Sequence, residues 1–175
     1  MSTTEQMGAA RIDHVVVPGT FDPVTLGHMD VISRTRKLFP RVTVAVAASV
    51  NKRGRGTAFT LEERVEMLRQ ALAEEGLSDV EVLPFTGLLV DFCHGIGALG
   101  VVKGLRAMTD FEYELQQADL NCHMAPDIES VFVMSNPKYG YVSSSIVREI
   151  SSMGSDVSSL VPPCVNQRLR EHYCA

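Results

Sequence analysis

Four groups of residues in this chain have the types and spacing to hold phosphate. Thr20, Thr25, Gly27 and His28 lie close together, with a glycine that lets a ligand approach and a histidine that can donate a ring N–H. Lys52, Arg53 and Arg55 crowd a segment that also holds Gly54 and Gly56, though such a charge run also suits a solvated loop. Lys103-Gly104-Leu105-Arg106 sets two cations around a glycine directly after an apolar run. Ser143-Ser144-Ser145 precedes Ile146 and Val147, with Arg148 one helical turn on. Serines at a helix start cap free N–H groups, and the helix end carries a partial positive charge, so this run suits a cap or a phosphate. Together the four groups describe a site for a highly phosphorylated ligand. No G-x-x-x-x-G-K-[ST] loop and no G-x-S-x-G turn is present, so neither a Walker-type site nor a serine nucleophile is indicated. His14 precedes an apolar run and has no such setting, while His94, His123 and His172 lack metal-ligand spacing and read as structural or exposed.

The elements that must position these groups follow from hydropathy. Val15 to Val17 is a β-branched run expected to be a buried strand starting at His14, stopped by Pro18 and Gly19. Thr25 is placed to cap a helix whose apolar positions are Leu26, Met29, Ile32, Leu38 and Phe39. Val42 to Ala48 reads as a second strand. Thr60-Leu-Glu-Glu63 is a capping box opening a helix through Val65, Met67, Leu68, Ala71 and Leu72, which Gly76 ends. A short strand at Val80 to Leu83 is stopped by Pro84, and a helix from Leu88 to Cys93 is broken by Gly95 and Gly97. Gly100 to Lys103 is a strand, Gly104 to Arg106 a loop, and a helix runs from about Thr109 to Met124. Val131 to Met134 is the fifth strand. After a loop from Ser135 to Val142, Ser143 opens a helix with Ile146, Val147 and Ile150 on its apolar face, and Pro162 and Pro163 open a last helix ending near Tyr173.

This alternation predicts an α/β, Rossmann-like fold: a five-stranded parallel, doubly wound sheet with helices on both faces and a C-terminal helix. Right-handed crossovers would bring Thr20, His28, Lys52, Leu89, Lys103, Arg106 and Ser143 to Ser145 to one sheet edge. Gly95-Ile-Gly97-Ala-Leu-Gly100 spells a dinucleotide fingerprint, but the predicted helix precedes it and a strand follows, the reverse of what that fingerprint requires.

The chain has 175 residues, 45% of them apolar, and a net charge of −5. Those values suit one globular domain over 11–175 behind a loose tail at 1–10, and argue against a general nucleic-acid binder. No apolar run approaches the ~20 residues of a membrane helix. The polar N-terminus lacks a signal peptide's apolar core, and the four cysteines form no C-x-x-C pair, so free thiols in the cytoplasm are expected.

Gly19-Thr20-Phe21-Asp22-Pro23 followed by Thr25-Leu26-Gly27-His28 resembles the first signature of the nucleotidyltransferase superfamily, and Val142 to Arg148 resembles its second. The stretch from Lys103 to Glu114 is similar to that of bacterial phosphopantetheine adenylyltransferases, and the likeness spans His14 to Leu169. The resemblance implies adenylyl transfer from ATP, with Mg²⁺, to 4′-phosphopantetheine, giving dephospho-coenzyme A and pyrophosphate in the penultimate step of coenzyme A synthesis. It implies catalytic roles for His28, Thr20, Lys52 and Arg106. It puts ATP at Thr20, Phe21, His28, Gly104, Leu105, Arg106, Glu114, Tyr139, Gly140, Tyr141, Val142, Ser143, Ser144 and Ser145. It puts phosphopantetheine at Thr20, Lys52, Leu89, Lys103 and Asn121. It supplies no protein metal ligand, and it implies a cytoplasmic homohexamer with coenzyme A as feedback inhibitor. Lys103 stands where many members have arginine, the 54–58 loop is longer than in some, and the residues before Arg11 are extra. Two other readings remain open: a nucleotidyltransferase acting on nicotinamide mononucleotide or glycerol phosphate, and a non-catalytic sensor of coenzyme A or adenine nucleotides.

Overall fold

The computed structural model describes residues 12–48, 57–106 and 108–173, with 108–110 as backbone only. Lys52, Arg53 and Arg55 lie outside the described residues.

Five parallel strands form one sheet in the order β3-β2-β1-β4-β5. They are β1 (His14–Gly19), β2 (Arg41–Ala47), β3 (Glu81–Phe85), β4 (Gly100–Leu105) and β5 (Glu129–Met134). The helices are α1 (Leu26–Leu38), α2 (Leu61–Glu74), α3 (Leu89–Ile96), α4 (Met108–Met124), α5 (Ser144–Ser152) and α6 (Pro163–Tyr173). Alternate side chains of β1 feed two cores. Val15 and Val17 pack with residues of α1, α2, α5 and α6 on one face. Val16 packs on the other face with Val90 and Cys93 of α3 and with Ala125 and Ile128 after α4. The doubly wound expectation is met, with the direction of winding reversing between β1 and β4.

Strand pairing opens the functional edge. β1 pairs with β2 along its whole length, from His14↔Arg41 to Gly19↔Val46, but with β4 only at Val15↔Gly100 and Val16↔Val101. Beyond those residues β1 and β4 stay bound to their outer neighbours and part from each other. A cleft at the carboxyl edge is the consequence.

Several expected boundaries are corrected. Pro18 and Gly19 belong to β1. Past Val16 the strand has lost β4 as a partner, so a residue without an N–H removes no bond on that side. Pro84 lies within β3, which tolerates it as an edge strand. α3 runs through Gly95 and ends at Gly97, whose φ of 69° closes the helix in the left-handed region. Gly104 and Leu105 continue β4 rather than forming a loop. A 3₁₀ turn at Pro137–Tyr139 interrupts the expected 135–142 loop. Leu38 and Ile146 point outward: α1 instead buries Thr35, whose hydroxyl is satisfied by the Val31 carbonyl at 2.7 Å, and α5 buries Val147 and Ser151. His14 is a buried strand residue.

Candidate active site

The cleft between the parted ends of β1 and β4 measures about 460 Å³. Its walls carry Thr20, Phe21, Thr25, Gly27 and His28 from the first strand–helix unit, Lys103, Gly104, Arg106 and Glu114 from the β4–α4 unit, and Val142 to Ser145 from the start of α5. Two helix N-termini, of α1 and α5, therefore end at one cleft. Ser143 caps α5 by accepting the Ile146 N–H at 3.2 Å. Of the first-turn amides of α1, those of Leu26 and His28 go to the Leu160 carbonyl and Thr25 Oγ1. No partner among the described residues meets the Gly27 N–H, on the cleft wall.

Thr25 and His28 form a reciprocal capping box in which histidine replaces the usual glutamate. The Thr25 backbone N–H donates to His28 Nδ1 at 3.1 Å. A backbone amide can only donate, so Nδ1 is the acceptor and the neutral ring carries its proton on Nε2. Burial, followed by the positive charge of Arg106, pushes the His28 pKa down to about 4. The ring is thus neutral at pH 7 and presents an Nε2–H donor near Arg106. Its edge-on packing against Phe21, with centroids 5.1 Å apart, fixes its tilt.

The loop from Thr20 to Pro23 is held from several directions. Phe21 has a φ of 50°, an unusual conformation for a side-chain-bearing residue. Its ring lies over Gly19, where an added Cβ would come within 2.8 Å of it. The Asp22 carboxylate accepts the Ala58 N–H at 2.9 Å and the Phe59 N–H at 3.0 Å, and pairs with Arg148 at 3.2 Å. Arg148 also donates to the Asp22 carbonyl, so it ties α5 to this loop. Ser144 Oγ donates to the Pro23 carbonyl at 2.8 Å.

On the facing wall, Lys103 Nζ and the Glu114 carboxylate are 3.1 Å apart. Arg106 donates to the Val142 carbonyl at 2.9 Å, joining the end of β4 to the start of α5. Gly104 is required by close packing: a Cβ there would stand 2.7 Å from Val31.

Of the residues expected at the site, the cleft gathers Thr20, Phe21, His28, Lys103, Gly104, Arg106, Glu114, Val142, Ser143, Ser144 and Ser145. Leu89, Leu105, Asn121, Tyr139, Gly140 and Tyr141 are not on its wall. Leu89 opens α3 against the opposite core, Leu105 and Asn121 are buried, and Tyr141 is exposed beside the 3₁₀ turn. Val31 and Ser135 line the cleft but were not singled out from the sequence. The only signal for Ser135 is topological, its place directly after β5.

Residues 16–150 match the family model described as cytidylyltransferase-like. The phosphopantetheine adenylyltransferase of Thermobifida fusca is 50% identical over 159 residues, covering 91% of this chain and 93% of that protein. The phosphopantetheine adenylyltransferase of Nocardioides sp. is 48% identical over 160 residues, covering 91% of this chain and 97% of that protein. Among solved structures, a bifunctional NMN adenylyltransferase/ADP ribose pyrophosphatase from Francisella tularensis superposes with a TM-score of 0.69 at 15% identity, over 94% of this chain and 51% of that longer one. At that identity the likeness concerns the fold alone.

Proposed function

The chain belongs to the cytidylyltransferase-like family and, within it, to the phosphopantetheine adenylyltransferases, and from that membership we propose that it transfers the adenylyl group of ATP to 4′-phosphopantetheine. The products are dephospho-coenzyme A and pyrophosphate, as in the penultimate step of coenzyme A synthesis. The observation that carries this reading is the cleft itself: a neutral His28 with a committed Nδ1 and an Nε2–H donor, facing Lys103 and Arg106 over two helix N-termini.

No nucleophile from the protein is needed, because the acceptor phosphate is already anionic. One of its oxygens attacks the α-phosphorus in line; the bond from that phosphorus to the bridging oxygen breaks, and pyrophosphate leaves with the electron pair. The protein contributes position and charge. Lys103 and Lys52 hold the acceptor phosphate against repulsion. Thr20 and His28 donate to the α-phosphate as charge develops. Arg106 and the Ser143–Ser145 helix start hold the β- and γ-phosphates, with Phe21, Gly104, Leu105, Glu114 and the 139–142 segment around the nucleotide. Leu89 and Asn121 serve the pantetheine arm. Among the described residues no group of three His, Cys, Asp or Glu side chains could hold a metal, and the cleft donors are mainly hydroxyls and cations. In this reading Mg²⁺ comes with the substrate, carried by the ATP phosphates and water.

A cytoplasmic homohexamer under coenzyme A feedback belongs to the same reading. Phe111, Tyr113, Leu115, Leu120 and Met124 leave apolar surface exposed on α4, which supports self-association. Among the described residues no helix is long and apolar enough to cross a membrane. The test is pyrophosphate release from MgATP with a panel of acceptors. Release with phosphopantetheine, and little with nicotinamide mononucleotide or glycerol phosphate, is expected. Tight nucleotide binding with no release for any acceptor would replace this reading with that of a sensor.

A further inference from the structure

We propose that Arg64 is a positioning residue for adenylyl transfer: its buried guanidinium locks the Thr20 loop to the end of β2, so that Thr20 meets the phosphates in one fixed geometry. This inference rests on the adenylyl-transfer reading. Arg64 lies in the first turn of α2 and is 2% exposed. Its Nη1 donates to the Thr20 carbonyl at 2.6 Å and to the Ala47 carbonyl at 2.9 Å. Its Nε donates to the Phe59 and Thr60 carbonyls, each at 3.3 Å. One planar group thus joins the exit from β1, the last residue of β2 and the cap of α2.

Core packing alone does not explain a cation there. The same helix fills its buried face with Val65, Met67, Leu68, Ala71 and Leu72, and an apolar side chain at position 64 would avoid desolvating a charge. What an apolar residue cannot do is hold carbonyls from three segments at once. Lysine cannot either: its ammonium is a point charge without the planar fork. Asp22 and Glu62 supply the negative charge that faces the guanidinium. Asp22 also binds the Ala58 and Phe59 amides, so the loop is gripped through both its carbonyls and its side chain. Thr20 reaches the reacting phosphate in the proposed mechanism, and an error of about 1 Å at a reacting centre lowers rates by about 10²-fold. Loosening this grip therefore acts on turnover more than on binding.

The experiment compares wild type, Arg64→Lys and Asp22→Asn in MgATP-dependent pyrophosphate release with phosphopantetheine, using thermal unfolding to count folded protein. Arg69→Lys is the control: Arg69 is on the same helix and donates only to the Val82 carbonyl among the described residues. The expected result is a fall in kcat of about 10- to 100-fold in Arg64→Lys and a similar pattern in Asp22→Asn, with both KM values within about threefold of wild type and Arg69→Lys unchanged. A wild-type kcat per folded molecule in Arg64→Lys overturns the proposal. Where Arg64→Lys does not fold, Asp22→Asn decides, and wild-type kcat there overturns it equally. An inactive wild type would instead sink the adenylyl-transfer reading on which the proposal stands.

Discussion

His14 enters β1 at the amino edge of the sheet, and His28 completes the first turn of α1 at the carboxyl edge. Both have their pKa lowered, with burial the largest cause. Both are also Nε2–H tautomers by the same logic. The Thr43 hydroxyl donates to Glu81 at 3.1 Å, so His14 Nε2, at 2.8 Å from that hydroxyl, must be the donor to it. His14 thus spends its N–H inside the fold, in a chain that Arg41 extends by pairing with Glu81. His28 spends only its acceptor nitrogen, on Thr25, and keeps the donor for the cleft. Residue type is shared; what separates the two rings is which nitrogen the fold has already used.

Deleting each ring in turn separates the two histidines most widely. His28→Ala should lower turnover by about 10²–10³-fold, the loss of one transition-state donor, while costing only about 1 kcal/mol of stability through the lost half of the capping box. His14→Ala should leave turnover within about twofold and cost about 1–3 kcal/mol, because Thr43 loses a buried partner. Steady-state pyrophosphate release and urea unfolding check both.

Titration separates them further. The folded His28 pKa is about 4 against 6.5 when unfolded, so between those values the unfolded chain binds more protons. Stability therefore rises with pH across that window, is level above it, and is lost as pH falls through it. The contribution from His28 is on the order of 3 kcal/mol. His14 adds to the same slope with the same sign. Urea midpoints from pH 4 to 7 should show the rise, and His28→Gln should flatten it more than His14→Gln.

On the facing wall, Lys103→Ala should raise the KM for phosphopantetheine by about 10- to 100-fold, the worth of a charge-assisted hydrogen bond, with the KM for ATP within about twofold. A matching rise for ATP would remove Lys103 from the acceptor side. Smallest is Ser143→Ala, which loses the α5 cap and should cost about 1 kcal/mol, read as a lower thermal midpoint.

How much of this was legible in the sequence depends on distance along the chain. The Thr25-Leu-Gly-His28 and Ser143–Ser145 segments could be read because a cap needs only its own next three residues. The alternation of apolar runs carried the sheet for the same reason. Whether Pro18 and Pro84 end a strand depends on which neighbours it keeps, and that is decided by the sheet order. His14 looked unremarkable because its partner, Thr43, sits on the adjacent strand. Nothing local to Arg64 reveals that the Thr20 and Ala47 carbonyls converge on it. The cleft is likewise a product of register, from the early end of β1–β4 pairing.

On the adenylyl-transfer reading, the donor left unspent on His28 meets the phosphates while the one on His14 does not. Nitrogen-15 NMR of the imidazole rings, recorded at pH 7 with and without MgATP, tests it directly. Two neutral Nε2–H rings are expected in the free protein, with nucleotide shifting the His28 Nε2–H resonance and leaving that of His14 in place. A His28 resonance indifferent to saturating MgATP, or a His28 ring protonated on Nδ1 in the free protein, would contradict it.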